Sequence, residues 1–560
     1  MSKKLSLSYL EIPVIILAFF AGWYLLGHYA LGGPLSTDIT VYMNVGMNHI
    51  ENTFILNRYF HVFLEVVFLK LAPTPLIGFQ YFWAFLMAAT ALLVYYNTRS
   101  FTSRSNFIHG LLAVGIFFSF QFFAQTAGIA YVDITAMFMV MVVVTIFMVS
   151  ARWQHRSKWI LILLGALFYL AFKTKETTLI SGLLFIGLGF QDGEFQFKAF
   201  LKNIAYLLVG IVVGIIFFAM LSWIILGDPF FGLRPKEFYD FFMASVRSAP
   251  NATQEVAVLG NWYTAFFLQV FYIPFILFIL AGIKPNQDLD LSHRLIWCLP
   301  LGLIIFVSLS ANITWGPRFL LPAIPIICVL TPQFLNFEIP CSARERIRAA
   351  ILFLIEIALI LILRIIMRYA LPKIGLDTTL FFVNIYESAI LSIILAISFL
   401  WKRFITSISI VVAVLILALI ASPIVSNVKM MLKSPNRAES DLTFYPYSSF
   451  SEEIHFQQDM KMFVSFNAWK VLGVSGYCNT LDDVLDLFNI YFNASSTRNN
   501  FTVSSDPTLI SSIVTSTSYS YILISEGDWQ AIPDSEQSIL EQRYIQIEDK
   551  QSLLVFLQAK

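Results

Sequence analysis

The sequence predicts an α-helical polytopic membrane protein with a small α/β domain at its C-terminus. Hydrophobic residues make up 58% of the 560 residues and charged residues only 13%, whereas soluble domains contain about 25% charged residues. Apolar runs such as 204–226 reach the ~20 residues that are needed to cross a hydrocarbon core. After residue 423 the sequence becomes mixed and polar. This change divides the chain into a transmembrane domain, 1–423, and a tail, 424–560.

The predicted spans are continuous apolar segments between polar or charged turns, and there are about 13 of them. Their ranges are 10–30, 77–97, 107–126, 134–151, 159–173, 177–190, 204–226, 263–283, 295–311, 319–334, 350–368, 388–401 and 405–423. The first span follows Lys3 and Lys4 and has no small-residue cleavage site, so we expect it to be retained.

Positive charge predicts the orientation of these spans. Lysine and arginine are denser in NTRSFTSRSN, ARWQHRSK and CSARERIR than in the alternate loops, and such segments favour the cytoplasmic side. The N-terminus is therefore predicted inside and the tail outside. The loops at about 31–76 and 227–262 then lie outside. In the first of them, 42–51 and 57–73 each have one apolar face, which predicts helices on the outer membrane surface.

The tail has the pattern of a small extracytoplasmic α/β domain. WKVLGVSGY and SYILISEGDW are typical of strands, and TLDDVLDLFNIYF and SEQSILEQ are typical of helices. The net charge of the whole chain is +1, so nucleic acid is not an expected partner. The four cysteines are scattered and show neither metal-ligand spacing nor a disulfide framework.

Ionisable residues gather at the predicted outer ends of the spans. A charged side chain in a span costs free energy, so its presence there indicates a function. These residues are Asp38, Arg58 and His61 in the first loop, Asp133 after the third span, Lys173, Lys175 and Glu176 near the fifth, Arg234 in the second long loop, and Arg318 before a proline-rich span.

Ordinary alternatives exist for several of these residues. Asp133 fits a helix N-cap, and Lys175 fits a side chain that reaches the lipid headgroups. Asp38 would otherwise be a loop acid, and Arg318 would anchor a helix end. His49, Glu51 and His61 have the chemistry of metal ligands, but their loose spacing gives little support for a metal site.

The order of these features resembles the GT-C superfamily of glycosyltransferases that use polyprenyl-phosphate sugars. The nearest branch is that of the lipid A aminoarabinose transferases and protein O-mannosyltransferases. The matching pieces, within about 8–335, are STDITVY, NRYFHVFLEVVFLKLAP, AYVDITAMF, FKTKETTLI and WGPRFLLPAIP. The sequence departs from the pattern of these relatives at two places, and these departures bear on the acceptor class and on the role of Arg58. Asp38 is followed by Ile39 instead of a second acid, and Asn57-Arg58-Tyr59 stands where relatives often have Lys-Pro-Pro.

The resemblance implies transfer of a monosaccharide from a polyprenyl-phosphate donor to a lipid, glycan or protein acceptor outside the membrane, with inversion. It implies Asp38 as the carboxylate that accepts or orients the acceptor proton, and Asp133 as a second carboxylate. The cations implied for the departing phosphate are Lys175 and Arg318, with Arg58 and Arg234 behind them. Further cavity candidates are Tyr42, His61, Glu176 and Trp315. The superfamily admits a divalent metal ion, for which Asp38 and Asp133 would be the ligands.

Two other functions stay open. A lipid-linked sugar flippase or transporter would explain the spans, but many such proteins consist of two similar halves, and no repeat is visible here. A polysaccharide polymerase or ligase would use the same phosphate chemistry and release a polyprenyl diphosphate. The expected partners are therefore a lipid-linked donor, an acceptor and the bilayer.

Overall fold

The computed structural model describes part of the chain, and within that part the transmembrane region is helical. The described residues are 11–29, 42, 58–72, 75–101, 107–120, 131–152, 157–191, 194–234, 295–296, 298–300, 321–334, 424, 462–465, 501–504, 519–547 and 554–559. Four predicted spans, at 263–283, 350–368, 388–401 and 405–423, lie entirely outside these ranges. The number of spans and the domain boundary at 423 therefore stay predictions.

The described helices follow the predicted spans closely. They are α1 (Glu11–Tyr29), α2 (Tyr59–Leu71), α3 (Pro75–Phe101), α4 (Phe107–Ser119), α5 (Val132–Arg152), α6 (Lys158–Phe172), a 3₁₀ helix (Glu176–Gly189), α7 (Phe197–Leu226) and α8 (Ile324–Leu330). A two-stranded hairpin, β1 (Phe190–Gln191) and β2 (Glu194–Phe195), connects the 3₁₀ helix to α7.

Four of these helices are long and apolar enough to cross a membrane: α1, α3, α5 and α7. Together with the composition of the sequence, they identify an integral membrane protein. Of the most apolar 18 residues in each helix, 72% are buried inside the protein in α3 and 78% in α5. The corresponding shares are only 6% in α1 and 22% in α7. α3 and α5 therefore form the centre of the described bundle, and we expect α1 and α7 to expose apolar side chains to lipid.

The span predicted at 177–190 is helical, but its hydrogen bonding is of the 3₁₀ type over 14 residues. Such long 3₁₀ runs are uncommon. Thr178 Oγ1 donates to the carbonyl of Lys175, and Ser181 Oγ donates to the carbonyl of Thr178. These bonds to the third preceding residue support the tighter winding. With a rise of about 2.0 Å per residue, the segment is about 28 Å long, whereas the same residues in an α-helix would reach only about 21 Å.

α6 and α7 pack in parallel along a glycine-containing contact, with the 3₁₀ helix as the crossover between them. A Cβ built on Gly210 would lie 2.0 Å from the carbonyl oxygen of Ile162, and one on Gly214 would lie 2.9 Å from that of Ala166. The two backbones approach so closely because these positions have no side chain. The parallel arrangement brings the C-terminal ends of α6 and α7 to the same end of the bundle.

The segment predicted as a surface helix at 57–73 is helical, as α2. It is buried on all sides from Tyr59 to Phe63, whereas Val67 and Leu71 further along are exposed. Of the other predicted surface helix, 42–51, the structure describes Tyr42, which is helical and buried.

In the tail, the described residues form a five-stranded sheet with two helices. The strands are β3 (Met462–Ser465), β4 (Phe501–Ser504), β5 (Tyr521–Ser525), β6 (Tyr544–Ile547) and β7 (Leu554–Ala559). Their order is β4-β3-β5-β7-β6; β3 is parallel to β4 and β5, and β7 is antiparallel to β5 and β6. The helices are α9 (Glu526–Ala531) and α10 (Asp534–Arg543).

The predicted strand at SYILISEGDW corresponds to β5, followed at once by α9, and the helix predicted at SEQSILEQ corresponds to α10. A small apolar core that includes Phe463, Ile522 and Leu540 joins the sheet to α10. The strand predicted at WKVLGVSGY and the helix predicted at TLDDVLDLFNIYF lie outside the described residues.

Candidate functional site

The candidate site lies where the beginning of α5 meets the end of α6. These two helices are joined by only five residues, 153–157, so they run antiparallel, and the first turn of α5 lies beside the last turn of α6. Asp133 is in the first turn of α5, and Lys175 is the N-cap residue of the 3₁₀ helix, just beyond α6. The topology therefore brings a carboxylate and an amine to the same end of the bundle.

Asp133 and Lys175 form a buried ion pair. Lys175 Nζ donates a hydrogen bond to Asp133 Oδ1, and both side chains are almost completely buried. A buried charge is stable only if another charge or hydrogen bonds compensate it, and here the two opposite charges lie in direct contact. The sequence indicated separate roles for the two residues, and it did not show that they are partners.

The beginning of α2 is attached to this end of α6. The backbone N–H of Phe60 donates to the carbonyl of Lys173 over 3.3 Å. Arg58 is the N-cap residue of α2, and its Nη1 donates to the hydroxyl of Tyr42 over 2.6 Å. The helix that carries the Arg58 guanidinium is thus tied to the segment that carries Lys175.

His61 connects α2 to α5. Its Nδ1 lies 2.7 Å from Thr135 Oγ1, two residues after Asp133. The ring of Tyr42 meets the ring of His61 edge-on, with 5.2 Å between the centroids. Tyr42 therefore packs on His61 while its hydroxyl accepts the hydrogen bond from Arg58.

One turn further along α2, Glu65 lies behind His61. His61 Nε2 and Glu65 Oε2 are 3.7 Å apart, and both side chains are fully buried. α2 is not among the helices apolar and long enough to be candidate spans. Burial lowers the pKa of His61 to about 3, with the positive charge of Arg58 acting in the same direction. Burial raises the pKa of Glu65 well above its ordinary value. Both groups are therefore driven towards their neutral forms.

The turn after α7, residues 227–234, packs against the beginning of α2. The rings of Phe231 and Tyr59 are 4.6 Å apart. Arg234 lies at the end of this turn, and its Nη2 donates to Asp228 Oδ2 within the same turn. Arg234 thus belongs to a turn that packs on the beginning of α2, and Asp228 compensates its charge locally.

The remaining predicted site residues have different outcomes. Glu176 is the first residue of the 3₁₀ helix, next to Lys175. Asp38, Trp315 and Arg318 lie outside the described residues, so their roles stay predictions. Within the part of the chain that the structure describes, no group of three His, Cys, Asp or Glu side chains is arranged to hold a metal ion.

Comparison of the structure with solved structures identifies the architecture. The crystal structure of ArnT from Cupriavidus metallidurans in the apo state superposes with a TM-score of 0.55 over 98% of this chain and 97% of that chain, at 12% identity. ArnT is a GT-C glycosyltransferase. The chain has the GT-C fold. This confirms, for the fold, the resemblance that the sequence indicated.

Other GT-C structures align less well. The same ArnT bound to undecaprenyl phosphate gives a TM-score of 0.48, at 11% identity, over 98% of this chain and 97% of that chain. An oligosaccharyltransferase from Archaeoglobus fulgidus, tethered to an acceptor peptide, gives 0.42, at 10% identity, over 99% of this chain and 74% of that chain. No protein-family model matches the sequence, and no curated protein matches it.

Sequence reasoning missed two residues of the site in this GT-C fold, Thr135 and Glu65. The signal for Glu65 was present, because a histidine and an acid four residues apart on an otherwise apolar helix share one face. Thr135 gave no comparable signal, since threonines are frequent in such helices. Its place is defined only when α2 packs on α5.

Proposed function

We propose that the protein is a membrane glycosyltransferase that moves a monosaccharide from an undecaprenyl- or dolichyl-phosphate donor to a lipid, glycan or protein acceptor on the extracytoplasmic side. The observation that carries this proposal is the buried Asp133–Lys175 pair at one end of the helices of a GT-C fold, where the helix that begins after Arg58 is bonded to Lys173. A lipid-linked donor presents its phosphate at a membrane surface, where cations on helix ends can reach it.

Phosphate binding would be the task of the cations. A phosphate monoester offers several acceptor oxygens, and charge-assisted hydrogen bonds from arginine and lysine are the strong ones. Arg58 donates to a tyrosine hydroxyl, and a phosphate oxygen could replace or share this acceptor. Lys175 is held by Asp133, and an arriving phosphate would share its amine with that carboxylate. Arg318 and Arg234 complete the proposed set.

The reaction forms one bond and breaks one. The acceptor oxygen bonds to the anomeric carbon, the bond from that carbon to the phosphate oxygen breaks, and polyprenyl phosphate leaves with the electron pair. The acceptor proton passes to a carboxylate, for which Asp38 is the candidate. Attack from the side opposite the leaving phosphate inverts the anomeric carbon. In this scheme Asp133 keeps Lys175 oriented towards the phosphate and contributes negative charge near the sugar.

The test is turnover by the purified protein. We would incubate it with a panel of polyprenyl-phosphate monosaccharides and a membrane extract as the source of acceptors, and would measure released polyprenyl phosphate by mass spectrometry. ArnT from C. metallidurans has been crystallised with undecaprenyl phosphate, so the undecaprenyl series comes first. We expect release from one donor by the wild type, no release by Asp38→Asn, and slower release by Arg58→Gln.

Asp534→Asn is the matched control, because Asp534 is an exposed acid at the beginning of α10. It should turn over like the wild type.

Release of a polyprenyl diphosphate from an oligosaccharide donor would instead indicate a polymerase or ligase. Movement of the donor across vesicle membranes without release of either lipid phosphate would indicate a flippase.

A further inference from the structure

The side chain of Lys173 has no role in the scheme above, yet it is buried at the junction of three elements. Its Nζ donates to the backbone carbonyl of Gly232 over 2.5 Å. The same Nζ lies 5.4 Å from the ring centroid of Phe218 on α7 and 5.7 Å from that of Phe172 on α6. These distances are in the range of cation–π attraction. A lysine buried in this way is rare unless it is specifically paired.

The turn that Lys173 holds contains a glycine in the left-handed region. Gly232 has φ +72°, a left-handed conformation that glycine adopts without strain. Within the turn, the N–H groups of Phe231 and Leu233 donate to the carbonyls of Asp228 and Phe230 over 3.4 and 3.0 Å. These are local bonds between near neighbours. The bond from Lys173 connects the turn to α6.

Lys173 is also linked to the beginning of α2 through its main chain. Its carbonyl accepts the N–H of Phe60, and the turn it holds presents Phe231 to Tyr59, the residue after Arg58. One residue therefore contacts the turn that ends at Arg234 and the helix that begins after Arg58. It also lies two residues before Lys175.

We infer that Lys173 is a positioning residue whose side chain fixes the 227–234 turn on α6, and through Phe231 and Tyr59 holds Arg58 and Arg234 at the end of the bundle that carries the Asp133–Lys175 pair. The consequence for donor binding rests on the proposed function.

The test compares Lys173→Met with Lys158→Met. Methionine keeps the contact with the Phe218 and Phe172 rings and removes the donor to Gly232. Lys158 is the matched control, because its Nζ also lies over an aromatic ring, that of Trp159 at 5.3 Å, but at the other end of α6. Backbone hydrogen exchange of the 228–234 peptide would be measured in lipid nanodiscs by mass spectrometry, and affinity for undecaprenyl phosphate in parallel.

We expect Lys173→Met to speed exchange of the 228–234 peptide about tenfold, since a charge-assisted hydrogen bond is lost, and to weaken lipid binding several-fold. Lys158→Met should change neither. If Lys173→Met does not fold, Gly232→Ala disturbs the same contact from the other side and should give the same two effects. Unchanged exchange overturns the inference, as does faster exchange with unchanged affinity. If the wild type binds no polyprenyl phosphate, the proposed function fails, and the exchange data still decide whether Lys173 holds the turn.

Discussion

Asp133 lies in the apolar stretch AYVDITAMF, and its charge is compatible with burial because Lys175 donates to it. Removing one member of a buried pair leaves the other uncompensated, which typically costs about 3–5 kcal/mol. Replacing both with neutral residues is often nearly neutral for stability. The pair can therefore be dissected by comparing single and double variants.

We expect Lys175→Met to lower the free energy of unfolding by about 3–5 kcal/mol. The double variant Asp133→Asn/Lys175→Met should recover most of that loss, but it should not recover binding of undecaprenyl phosphate, because the phosphate has lost the Lys175 amine. Thermal unfolding in detergent and lipid binding measure the two effects separately. A Lys175→Met variant as stable as the wild type would show that the loss of Lys175 does not leave Asp133 as an uncompensated buried charge.

Glu65 gives a prediction about pH. Its pKa is raised in the folded protein by burial, so between the ordinary value of 4.5 and that raised pKa the folded state binds more protons than the unfolded state. Stability from this group is therefore present at low pH and is lost as the pH rises through the folded pKa. Glu65→Gln is neutral at every pH and should escape this loss.

The expected result is that Glu65→Gln becomes more stable relative to the wild type as the pH rises from about 4.5. Thermal unfolding of both proteins across the same pH series measures the difference. Glu536→Gln is a suitable control, because Glu536 lies on α10, outside the bundle. A difference between Glu65→Gln and wild type that is constant with pH would contradict the assignment of Glu65 as a neutral buried acid.

At the residue scale, the sequence predicted which residue types matter better than it predicted their partners. Asp133, Lys175, Arg58, Tyr42 and His61 were all selected, and the structure brings them to one end of the bundle. Their partners depend on how α2, α5 and α6 pack, which one sequence does not specify. The roles of these residues in catalysis stay predictions.

The elements show the same division between local pattern and packing. α1, α3, α5 and α6 begin and end within a few residues of their predicted ranges, because long apolar runs between charged turns define them. The 3₁₀ winding of 176–189 was not predicted. A span that has only 14 residues available comes closer to the ~30 Å of a hydrocarbon core as a 3₁₀ helix than as an α-helix. This length constraint is a physical reason for the unusual winding.

The same substitution, glycine to alanine, should have opposite effects inside and outside the contact of α6 with α7. The methyl group of Gly210→Ala would lie 2.0 Å from the carbonyl oxygen of Ile162, so the helices must move apart. We expect the free energy of unfolding to fall by about 1–3 kcal/mol. Gly22→Ala on α1 meets nothing within 4 Å. It should leave stability unchanged or raise it by up to about 1 kcal/mol, because alanine favours helix.

Thermal unfolding midpoints of the two alanine variants and the wild type, in one detergent, test this prediction. A Gly210→Ala protein as stable as Gly22→Ala would mean that α6 and α7 do not approach as closely as described.

For the whole molecule, composition was enough to predict an integral membrane protein, and the order of charged residues along the chain was enough to indicate the GT-C fold. The fold is confirmed by the likeness to ArnT at only 12% identity. The number of spans and the orientation of the chain stay predictions, because the positive-inside rule describes a tendency that a fold comparison does not measure. The sugar and the acceptor depend on a few polar groups around the anomeric carbon, and Asp38 and Arg318 lie outside the described residues.

A structure of the protein in lipid nanodiscs with polyprenyl phosphate bound, determined by electron cryomicroscopy, would show directly where the donor phosphate lies. We expect it at the end of the bundle that carries Asp133 and Lys175. The phosphate density should lie within about 2.7–3.2 Å of Lys175 Nζ or of the Arg58 guanidinium. Density for the phosphate at another place, with Lys175 still bound to Asp133 and Arg58 still bound to Tyr42, would contradict this expectation.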